Sequence, residues 1–203
     1  FGSWGGQRFS SSTKYLYLYI VNNHKNIKPF WITRNNQVFS HLRKKSLPVY
    51  KKISLRGIWL SLRAEVIFVS NEIYDISPGF ADGALFIQFF HMVLPIKYMM
   101  RGDNKVTSEV FRTFNFKRKI RALLIYPHMF RKPDYYITSS DWMAKEVTQK
   151  KLGAEQNKIL ITGFPRSDAI LSITKDDVKY LKKQLNDKYH DSDFNIIYYL
   201  PTH

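Results

Sequence analysis

Cysteine is missing altogether from the 203 residues, which excludes disulfides, Cys-based zinc sites and thiol nucleophiles and fits a reducing compartment. Acidic residues are scarce, 16 Asp plus Glu against 32 Lys plus Arg. The formal charge of +16 favours anionic partners: nucleotides, polyphosphates, nucleic acid or an acidic membrane surface. Long apolar runs are lacking too. The longest, Ala84 to Ile96, contains Gln88 and His91 and falls short of the roughly 20 residues a membrane span needs, so it reads as a buried strand. No metal-ligand spacing exists among the six histidines, and neither a metal site nor another cofactor is expected. What is present is a core. With 44% hydrophobic and 16% aromatic residues, the chain can build one large domain, or one domain plus part of another. It opens at Phe1 without Met and stops at His203 just after the apolar run Asn195 to Leu200, so it is expected to be a fragment.

Short apolar strands alternate with helices of about a dozen residues. Strands are expected at 28–33, 48–51, 65–70, 84–90, 134–139, 158–161 and 194–200. Helices are expected at 13–23 after a Ser cluster, 35–45, from Ser54 onward, 112–132 with a kink or end at Pro127, from Ser140 to Leu152, and 175–189. Such alternation is the pattern of βαβ units, hence of a parallel sheet covered on both faces. The fold class is α/β. Residues Gly163 to Asp168 read as a sharp turn, and a domain boundary is expected there: a Rossmann-like domain over 1–168 and the start of a second domain over 169–203.

Four segments in order resemble the CDP-glycerol:poly(glycerophosphate) glycerophosphotransferase family, the teichoic-acid primases and polymerases. The first is Phe1-Gly-Ser-Trp-Gly-Gly-Gln-Arg-Phe-Ser10 running on to Tyr17, with Phe30-Trp-Ile-Thr33 behind it. The second, Ile87-Gln-Phe-Phe-His-Met-Val-Leu-Pro-Ile-Lys97, is similar to a family strand ending in Trp-His-Gly-Thr-Pro-Leu-Lys. Phe90 replaces Trp there, Met92 replaces Gly, and one extra residue separates the histidine from Pro95. The third, Asp134 to Ser140 through Gly163-Phe-Pro-Arg-Ser-Asp168, resembles the family's strand, helix and Gly-Tyr-Pro-Arg-Asn-Asp turn. The fourth, Tyr198-Tyr-Leu-Pro-Thr-His203, is similar to the Tyr-Ala-Pro-Thr motif that opens the nucleotide-binding domain. The resemblance implies the acceptor-side, N-terminal half of a GT-B-like two-domain enzyme, peripheral on the inner face of the cell membrane.

It also implies transfer of glycerol phosphate from CDP-glycerol to a hydroxyl of a lipid-linked or polymeric acceptor, releasing CMP, in teichoic-acid or capsular polymer synthesis. This fragment alone is then expected to be inactive. Such phosphoryl transfer needs a base for the acceptor hydroxyl, and His91, just past a strand's carboxyl end, suits that role. On position alone, a strand-end histidine hydrogen-bonded into the core is the commoner reading, which the ordered motifs reverse. His203 follows Pro-Thr at a second strand end. It is either a donor-phosphate contact and proton source or a terminal residue with no defined environment.

Arg166 offers a planar fork for phosphate oxygens with Asp168 orienting it, or the two form a clasp fixing the turn. Lys97 either contacts a phosphate or is a solvated helix-entry lysine. The Gly2 to Gly6 loop, with Gly5 and Gly6, presents backbone amides to an anionic acceptor or is a tight turn. It lacks the dinucleotide spacing. The basic helix at 117–131 either rests on anionic lipid or is a solvated face. Two rival functions stand beside this one: a sugar-nucleotide glycosyltransferase of the same architecture, and a basic nucleic-acid-binding module. Against the second, the cations are spread along the chain and no recognition motif is present, so no specific nucleic acid is expected as partner.

Overall fold

A computed structural model describes residues 1–71, 73–76, 83–89 and 131–189. The helix start signals act through side chains. In α2, Asn36–Lys44, Oδ1 of Asn35 accepts from the amides of Gln37 and Val38 at 2.8 and 3.2 Å. In α3, Leu55–Leu62, Oγ of Ser54 accepts from Gly57 at 3.0 Å. Each supplies a partner that a first-turn amide lacks. The first helix, α1, Ser11–Asn23, differs: Ser10 is extended and makes no side-chain cap bond. The Ser cluster expected to cap α1 therefore does not do so through Ser10, whose carbonyl instead accepts from Thr13 Oγ1 at 3.3 Å.

All paired strands are parallel. β1, Trp31–Thr33, pairs with β2, Val49–Lys51. A second sheet runs β3-β4-β5-β6, with β3 Val66–Val69, β4 Leu85–Phe89, β5 Tyr135–Thr138 and β6 Ile159–Ile161. Residues 1 and 2 join the two. The carbonyl of Phe1 accepts from Ile32 at 2.9 Å, the amide of Gly2 donates to Phe68 at 3.1 Å, and Gly2 bridges Val69 in parallel. The spatial order is therefore β2, β1, residues 1–2, β3, β4, β5, β6. Taking residues 1–2 as first strand, the order reverses between them and β3, as in doubly wound sheets. Gly2 is needed at that seam, because a Cβ there would stand 2.8 Å from the carbonyl oxygen of Asp75.

Alternating side chains fill a core on each face, as the period of a strand requires. Ile32, Ile67, Val69 and Phe86 meet Ile73 and Ile76 on one side. On the other, Phe89 and Ile137 meet Met143, Val147 and Phe164, and Trp31 meets Tyr17, Leu42 and Val49. Burying each such side chain contributes about 1.5–3 kcal/mol.

Two sequence expectations change. The helix expected from Ser140 to Leu152 is one α turn, Asp141–Met143, continued by a π-helix, Ala144–Gln149, together α4. The amide of Lys150 donates to the carbonyl of Lys145 at 3.2 Å, and that of Leu152 to the carbonyl of Val147 at 3.1 Å. Both span five residues, which is the wider turn. The segment expected as a turn from Gly163 to Asp168 is a turn only at its start. Gly163 has φ +79°, and Pro165 opens a helix, α5, Pro165–Leu171; proline suits a first helical position because its missing N–H costs nothing there.

The chain divides into two units, Phe1–Ser167 and Asp168–His203, the division falling within α5. In the second, α6, Lys175–Tyr189, follows Thr174, which exchanges hydrogen bonds with Asp177. Those bonds hold the Asp177 carboxyl below the ordinary carboxylate range. The strand expected at 194–200 and the basic helix up to residue 130 lie outside the described residues. Arg131 and Lys132, at that helix's expected end, are not helical.

Candidate functional site

Open parallel sheets bind ligands beyond the carboxyl ends of their strands, at the point where strand order reverses. Here that crevice is bounded by the turn after Ser3 and the loop after Val69. The turn runs through left-handed backbone at Trp4, Gly5 and Gly6, with φ of 51°, 62° and 79°. A side chain on Gly6 would crowd the Asp75 carbonyl oxygen and the Arg34 nitrogen at 3.2 and 3.3 Å, so glycine is required for close approach as well as for φ.

Asp75 organises the crevice. Its Oδ1 accepts from the Gly5 amide at 2.6 Å. Its Oδ2 accepts from the amides of Ser70 and Asn71 at 3.1 and 2.9 Å and from Ser70 Oγ at 3.2 Å. Burial pushes the carboxyl above its ordinary range, opposed by these hydrogen bonds to the charged form. The amide of Gly6 donates to the Ser3 carbonyl at 2.9 Å. Both amides that the sequence offers to an anionic acceptor are thus engaged within the protein.

Two cations stand at neighbouring strand ends. Arg34 follows β1 and is exposed, and one of its guanidinium nitrogens lies 3.9 Å from where a Gly5 Cβ would be. Lys52 follows β2 and is 6% exposed. Its ammonium donates to the Tyr74 carbonyl and sits 3.4 Å from the centre of the Tyr74 ring. Burial lowers the Lys52 pKa to about 8, with Arg34 adding to the effect and Asp75 opposing it. The sequence reading missed Arg34, Lys52 and Asp75. The signal for the first two was available, since each immediately follows a strand, which is the rule that singled out His91.

β4 leads toward His91, two residues beyond Phe89. Its start is held by Asp134, whose Oδ2 accepts from Phe86 at 2.7 Å while its amide donates to Phe86 at 2.8 Å. Near its other end, Gln88 Nε2 donates to the Asn71 carbonyl, tying β4 to the crevice loop. His91, Lys97 and His203 lie outside the described residues. Arg166 is half-buried in α5, its guanidinium 5.3 Å from the Phe164 ring centre. Asp168 is exposed. The two are two positions apart on a helix, a spacing whose side chains do not face each other. Among the described residues no group of three or more His, Asp or Glu is placed to hold a metal ion.

The family described as CDP-Glycerol:Poly(glycerophosphate) glycerophosphotransferase matches residues 1–203. The chain belongs to this family. A teichoic acid poly(glycerol phosphate) polymerase of Staphylococcus epidermidis is 23% identical over 208 residues, covering 100% of this chain and 26% of the polymerase. One of Bacillus subtilis is 24% identical over 205 residues, covering 100% and 25%. This glycerophosphotransferase-family chain therefore spans about a quarter of the length of those polymerases. The wall teichoic acid polymerase TagF superposes with a TM-score of 0.60 at 19% identity, covering 91% of this chain and 43% of that one. A histidine variant of TagF soaked with CDPG gives 0.59 at 17%, covering 92% and 43%. The likeness establishes the expected α/β, GT-B-like fold.

Proposed function

We propose that this chain is the acceptor-side part of an enzyme that moves glycerol phosphate from CDP-glycerol to a hydroxyl of a lipid-linked or polymeric acceptor, in teichoic-acid or capsular polymer synthesis. The observation that carries the reading is the match of the family to residues 1–203, on a parallel sheet whose strand order reverses between residues 1–2 and β3. In this reading residues 1–168 form the acceptor-side domain and 169–203 begin the nucleotide-binding domain. His91, beyond the carboxyl end of β4, takes the proton from the acceptor hydroxyl as its oxygen attacks the phosphorus bearing glycerol. The new P–O bond forms as the bond to the bridging oxygen breaks, and CMP leaves with that oxygen. His203 donates a proton or hydrogen bond to the departing phosphate. Arg166 and Lys97 contact phosphate oxygens, Asp168 supports the segment carrying Arg166, and the Gly5-Gly6 turn shapes the acceptor crevice.

The same reading places the enzyme peripherally on the anionic inner face of the membrane. Among the described residues no helix is long and apolar enough to cross a membrane. α3 exposes Leu55, Trp59 and Leu62 at 90%, 58% and 54%, four and three positions apart and so on one face. Arg56 and Arg63 flank them, and apolar residues bordered by cations are the pattern of an interfacial helix.

The test is donor choice in the intact protein. Incubation with CDP-glycerol and an acceptor releases CMP, whereas UDP-sugars release no UDP; UDP release alone would replace this reading by a glycosyltransferase. His91→Ala abolishes transfer and leaves the unfolding midpoint unchanged. Retained turnover removes His91 from the mechanism.

A further inference from the structure

Strands buried in a parallel sheet are near-continuous apolar runs, and Leu85-Phe-Ile-Gln-Phe89 keeps that pattern except at Gln88. A half-buried carboxamide costs free energy unless it is hydrogen-bonded. Gln88 commits its Nε2 to the Asn71 carbonyl, and the nitrogen must be the end that meets it, because a carbonyl only accepts. The bond stands where the backbone ladder stops. β3 and β4 pair as far as Val69 with Gln88, so this side chain reaches two residues past the last rung and holds the loop that follows.

Asn71 is held from a second side. Its amide donates to Oδ2 of Asp75 at 2.9 Å, and Oδ1 of Asp75 accepts from Gly5 at 2.6 Å. Gly5, Asp75, Asn71 and Gln88 thus form one hydrogen-bonded chain across the carboxyl ends of three neighbouring strands, residues 1–2, β3 and β4. One end of that chain is the turn that shapes the proposed acceptor crevice. The other lies on the strand that leads to His91, three positions further in sequence. A base acts on a hydroxyl only within hydrogen-bond reach, and a misplacement of about 1 Å can cost about 100-fold in rate.

We propose that Gln88 is a positioning residue for the transfer reaction, its bond to Asn71 setting the spacing between the acceptor turn and the end of β4. This rests on the proposed function, which supplies the reaction and the base. Gln88 touches no reacting atom in this role and acts through the loop at Asn71. An apolar residue would suit the strand equally well, but among the described residues Asn71 would then be held by Asp75 alone.

The test uses the intact protein with CDP-glycerol and an acceptor. Gln88→Met keeps the length of the side chain and removes the donor without adding charge, and Gln88→Lys restores a donor. With kcat taken on the pH plateau of each variant, Gln88→Met lowers kcat about tenfold. KM for CDP-glycerol and the pH midpoint of kcat stay unchanged, and Gln88→Lys recovers most of the loss. A folded Gln88→Met variant with the kcat of the wild type overturns the proposal. So does an equal loss in both variants, since shape and not the donor would then matter. A second measurement needs no variant and no turnover: the through-hydrogen-bond NMR coupling between Gln88 Nε2 and the carbonyl carbon of Asn71, whose absence from the wild-type protein overturns the link. If the wild type releases no CMP, the proposed reaction falls and the positioning role with it. CMP release by the wild type beside an unimpaired Gln88→Met variant sinks the positioning role alone.

Discussion

The amide of Gly5 donates to Oδ1 of Asp75 across 70 positions of sequence. That one bond ties the turn after the first strand to the loop after β3, on the two sides of the place where strand order reverses. Asp75→Ala would leave three backbone amides and a hydroxyl without their acceptor. The expected loss is about 2–4 kcal/mol, read as a lowered denaturant midpoint, with Asp75→Asn losing less because its carbonyl oxygen still accepts. A midpoint unchanged in Asp75→Ala would show that water replaces the carboxylate without cost.

Gly57 lies in α3 against β2. A Cβ at this position would fall 2.1 Å from the Lys51 carbonyl oxygen, a backbone atom that cannot turn aside. Gly57→Ala is expected to cost about 3 kcal/mol or more. Gly163→Ala meets nothing within 4 Å but keeps a φ of +79°, and is expected to cost about 1 kcal/mol. Thermal unfolding of both variants checks the order, which reverses if α3 can slide on the sheet.

Lys52 makes stability depend on alkaline pH. Its folded pKa, about 8, lies below the ordinary 10.5, so between these values the unfolded chain binds more protons and stability rises with pH. Below about pH 8 the ammonium is charged in both states and its burial cost is fully present. Compared with Lys52→Met, the wild type should therefore gain stability between pH 7.5 and 10, measured by urea midpoints at each pH. Parallel profiles would mean that the folded ammonium keeps its ordinary pKa.

The proposed membrane contact through α3 makes a separate prediction. Leu55→Ser with Trp59→Ser should weaken co-sedimentation with vesicles containing anionic phospholipid about tenfold and leave solution turnover on a short acceptor unchanged. Retained co-sedimentation would place the contact on another surface.

Much of the fold was legible because the signals are local. Asn35, Ser54 and Ser140 start helices by accepting amides one turn on, and the strands among the described residues fell within three residues of their expected bounds. The α4 irregularity was not legible, since the amides of Lys150 and Leu152 bond carbonyls five residues back, which apolar spacing does not signal. The helical start at Pro165 was hidden by turn-favouring neighbours. In the site, the Gly5-Gly6 turn was visible as composition, but what fills it was not. Asp75 stands in a segment rich in turn residues, and Lys52 looks like one more solvated cation in a chain of net charge +16. The tertiary approach of Tyr74 is not visible in the sequence.

The carboxylate at the strand reversal also settles what that corner of the molecule has given up. In doubly wound dinucleotide enzymes the glycine turn keeps its amides open for a pyrophosphate; here the polypeptide has furnished its own resident anion. A pyrophosphate arriving there would have to evict Asp75, so this turn is closed to the role its counterpart plays in those enzymes.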